Sequence, residues 1–236
     1  MLDNLIITCE HAGNHIPKRY QPLFAEYGEL LGSHRGYDPG ALMAAKKMAE
    51  HFEAPLFSTS ISRLLIDCNR SLRHHHLFSD ISKALPDSER EQIINDVYLP
   101  YRNQVIQTIR AFKNQRRKVI HISVHSFTPS LNGANRNADI GLLYDPSRAP
   151  EHKFCTHWRN ELRKQAPRWA VRMNYPYRGI ADGFATALRK QFTKNQYIGV
   201  ELELNHGLWF EDKPQWNAMV NDCINALSAD LPQATP

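Results

Sequence analysis

The sequence predicts an α/β fold with a mostly parallel sheet and helices on both faces. Three observations point there. Short apolar runs such as "LIITC" (5–9), "KVIHISV" (118–124) and "YIGVELEL" (197–204) read as buried strands. Segments of helical length and amphipathic spacing lie between them. The alternation of the two implies crossover connections, which pair strands in parallel.

Each element has its own signal. After "LIITC", the segment "GALMAAKKMAEHF" (40–52) repeats apolar residues at helical spacing, with Asp38 as the expected N-cap and Pro39 at the first position. "APLFSTSISRLLIDCNRS" (54–71) alternates in part and predicts one or two strands. Residues 87–115 predict a helix capped by Asp87 or Ser88 and kinked or divided at Pro100. Strands are expected at 118–124, 139–145, 169–174 and 197–204, and helices at 151–166, 184–192 and 214–231.

Bulk properties narrow the function classes. A chain of 236 residues suits one large domain or two small ones. Apolar residues at 42% and charged residues at 22% give the balance of a globular protein. No apolar run approaches the ~20 residues of a membrane helix. The start lacks the basic and apolar regions of a secretory signal, so a cytoplasmic location is expected. Cys9, Cys68, Cys155 and Cys223 are widely spaced with no CxxC, which argues for reduced, buried thiols. The net charge of +5 is scattered; its densest run, "KNQRRK" (113–118), reads as a solvated helix end. Nucleic acid is therefore not an expected partner, and a small anion fits the charge as well.

In a parallel sheet, ligands bind at the carboxyl ends of the strands. His11 follows the first strand, and His125 follows the strand at 118–124. Asp38, before the 40–52 helix, can face the same edge. Two imidazoles and a carboxylate are the usual protein ligands of a catalytic zinc, and other divalent metals accept the same donors. Glu201 and Glu203, two apart on one strand, share a face. Buried carboxylates need partners or a catalytic duty. Glu203, nearer the strand's end, is the preferred general base, with Glu201 as the alternative. In "SRLLIDCNRS", Arg70 is read as gripping a substrate carboxylate and Arg63 as steadying an oxyanion, though Arg63 could instead pair with Asp67. "MNYPYRGIADG" offers Tyr177 and Arg178 on a candidate binding loop. The run "RHHH" (73–76) reads as exposed or as part of a lid.

Taken together, "EHAGNHIP", "HRGYDPGA", "SRLLIDCNRS", "VHSFTP", "RNADIGLLYDP", "NYPYRGIADG" and "GVELELNHG" resemble the N-formylglutamate amidohydrolase family. A more distant likeness is to zinc carboxypeptidases and aspartoacylase. Those families place a metal histidine after the first strand, then an acidic ligand, an Asn-Arg pair, a second metal histidine in "HS" plus an aromatic, and a late catalytic glutamate. His11, Asp38, Asn69-Arg70, His125 and Glu203 appear here in that order. The first ligand pair departs from their His-x-x-Glu, so Glu10 and His15 stand as substitutes for Asp38. The resemblance implies a phosphorylase/hydrolase-like three-layer α/β/α sandwich, one domain over 1–236. It further implies a zinc-dependent amidohydrolase acting on a small carboxylate substrate, with Asn69, Arg70 and Arg178 on that carboxylate. A non-catalytic anion- or metal-binding protein and a hydrolase of short peptides are the alternatives.

Overall fold

The computed structural model describes residues 4–115 and 118–229. Strand β1 (Leu5–Cys9) leads through a 3-10 segment (Lys18–Tyr27) and α1 (Gly28–Gly32) to α2 (Ala41–Phe52). Then come β2 (Leu56–Ser58), a long run of turns, α3 (Asp87–Ile93), a π-helical turn (Ile94–Tyr98) and α4 (Leu99–Asn114). β3 (Val119–Phe127) precedes a small ribbon, β4 (Ser130–Leu131) and β5 (Ala134–Asn135). The rest is β6 (Ile140–Leu143), α5 (Ala149–Gln165), β7 (Val171–Met173), α6 (Phe184–Gln191), β8 (Tyr197–Asn205), α7 (Gly207–Glu211) and α8 (Lys213–Ser228).

Six strands form one sheet in the order β2-β1-β3-β8-β6-β7. All neighbours pair in parallel except β6 and β8, which are antiparallel. Even positions of β3 and β8, such as Ile122 and Val200, pack with α2, α5 and α8. The opposite face is covered by α4, α6 and the 3-10 segment. The result is the mixed, mostly parallel α/β/α sandwich that the sequence implied.

Several local expectations are corrected. The N-cap of α2 is Gly40, at φ 81°, and not Asp38. Glycine is required there twice over: the φ is left-handed, and a Cβ would lie 2.5 Å from the Trp216 ring. Residues 54–71 leave the sheet after Ser58. One of the expected strands is present as β2; beyond it residues 59–62 only follow the chain after β1, through bonds to Cys9, Ala12 and His15 and a single bridge of Ile61 with His15, and the amides of Leu65 and Ile66 then turn back on the Ser62 carbonyl. Arg63 and Asp67 therefore meet across one turn and not along a strand. β3 continues past residue 124, because its pairing with β8 runs on to Phe127 and Asn205. His125 thus sits inside the strand.

The helix at 87–115 is divided at Pro100 as expected, but through a widened turn. A proline ring clashes with the carbonyl four residues back; here that residue is Asp96, within the π-helical turn. Neither Asp87 nor Ser88 caps α3, whose N-cap is Pro86. All four cysteines are buried and none forms a disulfide. No described helix is long and apolar enough to cross a membrane. Arg116 and Arg117 of the basic run, and the end of the last expected helix beyond residue 229, lie outside the described residues.

Candidate active site

Three elements converge on Asp38. The Asp38 amide donates to the His11 carbonyl at 3.0 Å, tying the loop before α2 to the end of β1. Asp38 Oδ2 then lies 3.2 Å from His11 Nδ1 and 2.8 Å from His125 Nδ1. One donor atom from each of these three buried residues falls within 4.8 Å of the other two. Among the described residues this is the only group of His, Cys, Asp or Glu so arranged.

The outer ring nitrogens are held as well. His11 Nε2 donates to Asp67 Oδ1 at 2.8 Å. His125 Nε2 lies 2.9 Å from Ser123 Oγ and 3.3 Å from Glu10 Oε2. The Ser123 hydroxyl donates onward to Glu10 at 2.6 Å, and the Tyr101 hydroxyl donates to the other Glu10 oxygen at 2.8 Å. A ring anchored outward through Nε2 keeps Nδ1 turned inward, on the Asp38 carboxylate here and free to give its lone pair to a metal once its proton is lost, which is how a metal-binding histidine is held.

Strand register brings Glu203 to the same face. His125 pairs with Glu203 across β3 and β8, and Ser123 with Glu201, so all four side chains share one face. Gly141 of β6 sits opposite Glu203. A Cβ at Gly141 would lie 2.1 Å from the Tyr175 carbonyl, so only glycine lets the 174–183 loop cross there. Glu203 is buried, and its Oε2 has no hydrogen-bond partner. Burial pushes its carboxyl up to about 8. Burial also raises Glu201.

The other acids behave oppositely. Burial would raise Asp38, but the charge and hydrogen bonds of His11 and His125, with Arg63 beyond them, hold it well below the carboxylate range. Burial works the same way on Asp67, where His11 and Arg63 reverse it. Glu10 is held low against its burial by His125 and Ser123. Burial would depress His125, but hydrogen bonds to Asp38 and Glu10 raise it well above its ordinary value. Three anionic carboxylates thus surround two imidazoles, a charge balance that a divalent cation satisfies without extra protons.

The group opens on a cavity of about 160 Å³. Arg63 borders it while bridging Asp38 at 3.1 Å and Asp67 at 3.3 Å. Arg70 donates to the Asp182 carbonyl at 2.7 Å. Asn69 accepts from the Phe184 amide at 2.7 Å, and its Nδ2 lies 3.5 Å from His125 Nε2. Tyr177 stands exposed at the rim under the Arg136 guanidinium, 5.0 Å from the ring centre.

A family model described as N-formylglutamate amidohydrolase matches residues 3–210. The chain belongs to the N-formylglutamate amidohydrolase family. It is an amidohydrolase-type hydrolase by that membership. It is similar to the structure of gene product Atu2144 from Agrobacterium tumefaciens, at 28% identity and a TM-score of 0.81, over 96% of this chain and 89% of that one. It also resembles the N-formylglutamate amidohydrolase from Ralstonia eutropha JMP134, at 16% identity and a TM-score of 0.71, over 96% and 92%. At that identity the second likeness bears on the fold alone. A comparison with curated proteins found no match.

In this amidohydrolase, all nine residues selected from the sequence border the one cavity: His11, Asp38 and His125, then Arg63, Asn69, Arg70, Tyr177, Arg178 and Glu203. Of the substitutes for Asp38, Glu10 lies behind His125, and His15 is exposed and outside the group. The three histidines 74–76 cluster with ring centres 3.9 to 5.8 Å apart, His74 and His75 stacked and His76 tilted against both. Sequence reasoning missed the chain Ser123–Glu10–Tyr101 and the contact of Asp67 with His11. One signal was available: Glu10 is a carboxylate closing an apolar strand, and such a group needs donors.

Proposed function

We propose that this chain hydrolyses the amide bond of an N-formyl or N-acyl amino acid, with N-formylglutamate as the leading substrate and zinc as the ion. The observation that carries the reading is the convergence of His11, Asp38 and His125, with both Nδ1 atoms against Asp38 Oδ2, beside the buried Glu203. These are the donors a catalytic zinc uses, and the outward bonds to Asp67 and to Ser123–Glu10 are the support such ligands need, so the residues fit the ion. Mn²⁺, Fe²⁺ and Co²⁺ suit the same donors. When bound, the ion supplies a Lewis acid that polarises the amide carbonyl and acidifies water.

Glu203 takes the proton from the attacking water and delivers it to the leaving nitrogen. Its Oε2 has no competing partner, and its raised carboxyl pKa suits exchange in both directions near neutral pH. The water oxygen joins the acyl carbon, the C–N bond breaks, and a free amine and a carboxylate leave. Arg63 borders the cavity, so its charge is available to steady the oxyanion. Arg70 and Arg178, with Asn69, bind the substrate carboxylates, and Tyr177 covers the mouth. A cavity of about 160 Å³ suits an amino-acid derivative better than a peptide.

The test is release of formate and glutamate from N-formylglutamate by the zinc-loaded protein. Loss of both zinc and turnover in His125→Ala supports the reading. A protein that binds acidic ligands and turns over no N-formyl or N-acyl amino acid is the non-catalytic alternative.

A further inference from the structure

The junction of the π-helical turn and α4 reads "YLPYR" (98–102), and of it the chemistry above uses only Tyr101, on Glu10. Arg102 is buried, at 7% exposure, and pairs with no carboxylate among the described residues. Its guanidinium lies 4.1 Å from the centre of the Phe184 ring and 4.9 Å from that of Tyr98. Nη1 donates to two carbonyls, Cys68 at 3.0 Å and Arg70 at 3.1 Å. The Tyr98 hydroxyl donates to the same Arg70 carbonyl at 2.8 Å. These carbonyls stand on either side of Asn69. The Phe184 amide in turn holds the Asn69 side chain, so the residue stacked on Arg102 also fixes Asn69.

A buried cation without a counter-ion is destabilising compared with an apolar residue of similar volume. Packing alone therefore does not account for an arginine here. What the guanidinium does that an apolar side chain cannot is clamp two carbonyls of one tripeptide while lying between two rings. The π-helical turn just before α4 sets the angle at which Tyr98 and Arg102 arrive, and such turns often stand at functional sites.

We propose that Arg102 is a positioning residue that sets the backbone of Cys68–Arg70, so that Asn69 and Arg70 meet the substrate's carboxylate in the cavity. The inference rests on the assignment of Arg70 to that carboxylate. Arg102→Met keeps an unbranched apolar stem and removes the donors. The expected result is a KM for N-formylglutamate raised about tenfold, equivalent to about 1.4 kcal/mol, with kcat changed far less and zinc content unchanged. Tyr98→Phe removes one donor to the same carbonyl and should raise KM by a smaller factor; it decides the matter if Arg102→Met does not fold.

Backbone hydrogen exchange gives a readout that needs no substrate. Amides of residues 69–71 should exchange faster in both variants, while those of β3 and β8 stay as in the wild type. If the wild type hydrolyses nothing, the proposed function fails and exchange alone decides the role of Arg102. An unchanged KM in an active enzyme, unchanged exchange at 69–71, or faster exchange across the whole fold would each overturn the proposal.

Discussion

In Asp67→Asn, one buried oxygen becomes an NH₂ group and nearly every other atom can stay in place. The Asp67 carboxylate accepts from His11 Nε2 at 2.8 Å, from the Asn69 amide at 2.9 Å and from Arg63 at 3.3 Å. An asparagine can keep its carbonyl oxygen on His11 and Asn69, but its NH₂ then faces the Arg63 guanidinium, donor against donor. Arg63 keeps its contact with Asp38 at 3.1 Å, and its side chain is 25% exposed, so water can serve the released arm. Stability should therefore fall by about 1–2 kcal/mol, a span around the low end for hydrogen bonds to charged groups. The larger effect is on the metal. Without a full carboxylate behind it, His11 becomes a weaker and less oriented ligand, and zinc affinity should drop about 10–100-fold. That corresponds to about 1.4–2.7 kcal/mol. Competition against a chromophoric chelator at pH 7 measures the affinity, and thermal unfolding of the metal-free protein checks the fold. Zinc affinity equal to that of the wild type would refute the role given to Asp67.

Glu203→Gln should retain zinc and lower kcat by about 10²–10⁴-fold, the usual weight of a general base; normal turnover would remove Glu203 from that role. Arg70→Ala should chiefly raise KM for carboxylate substrates in steady-state kinetics, and an unchanged KM would refute its assignment. His121 makes the pH prediction. It is fully buried between Thr8 at 2.7 Å and Tyr197 at 2.6 Å, and burial depresses its pKa from 6.5 to about 4. Below pH 6.5 the unfolded chain takes a proton that the folded ring refuses until about pH 4. Stability is therefore intact above pH 6.5 and declines as pH falls through that window, by about 3 kcal/mol in all. Urea unfolding at pH 7 and pH 4.5 measures the loss. His121→Gln should flatten it, and an unaltered pH dependence in that variant would contradict the assignment.

Much of this was legible along the chain wherever a local pattern carried it. β1, β3 and β8 are buried on both faces, so their apolar runs announced them, and the alternation along β8 put Glu201 and Glu203 on one side. The histidines could be placed because strand ends in such sheets face one edge. Other features depended on contacts distant in sequence. Asp38 carries every mark of a helix cap, yet its side chain is taken up by His11, His125 and Arg63. The stretch after Ser58 has strand-like composition, but its amides divide between its own turns and carbonyls distant in sequence, Ser62 on His15 and Arg63 on Gly36 among them. Arg63 and Asp67 could be paired from the sequence, whereas the bond from His11 to Asp67 spans 56 positions and left no local trace.

X-ray absorption at the zinc edge of the stoichiometrically loaded protein, repeated on His125→Ala, bears most directly on the convergence of residues 11, 38 and 125. The predicted result is one ion per chain with two imidazole nitrogens in an otherwise oxygen shell, and loss of an imidazole together with tight binding in the variant. An ion held without imidazole, or one bound unchanged after His125→Ala, would contradict it.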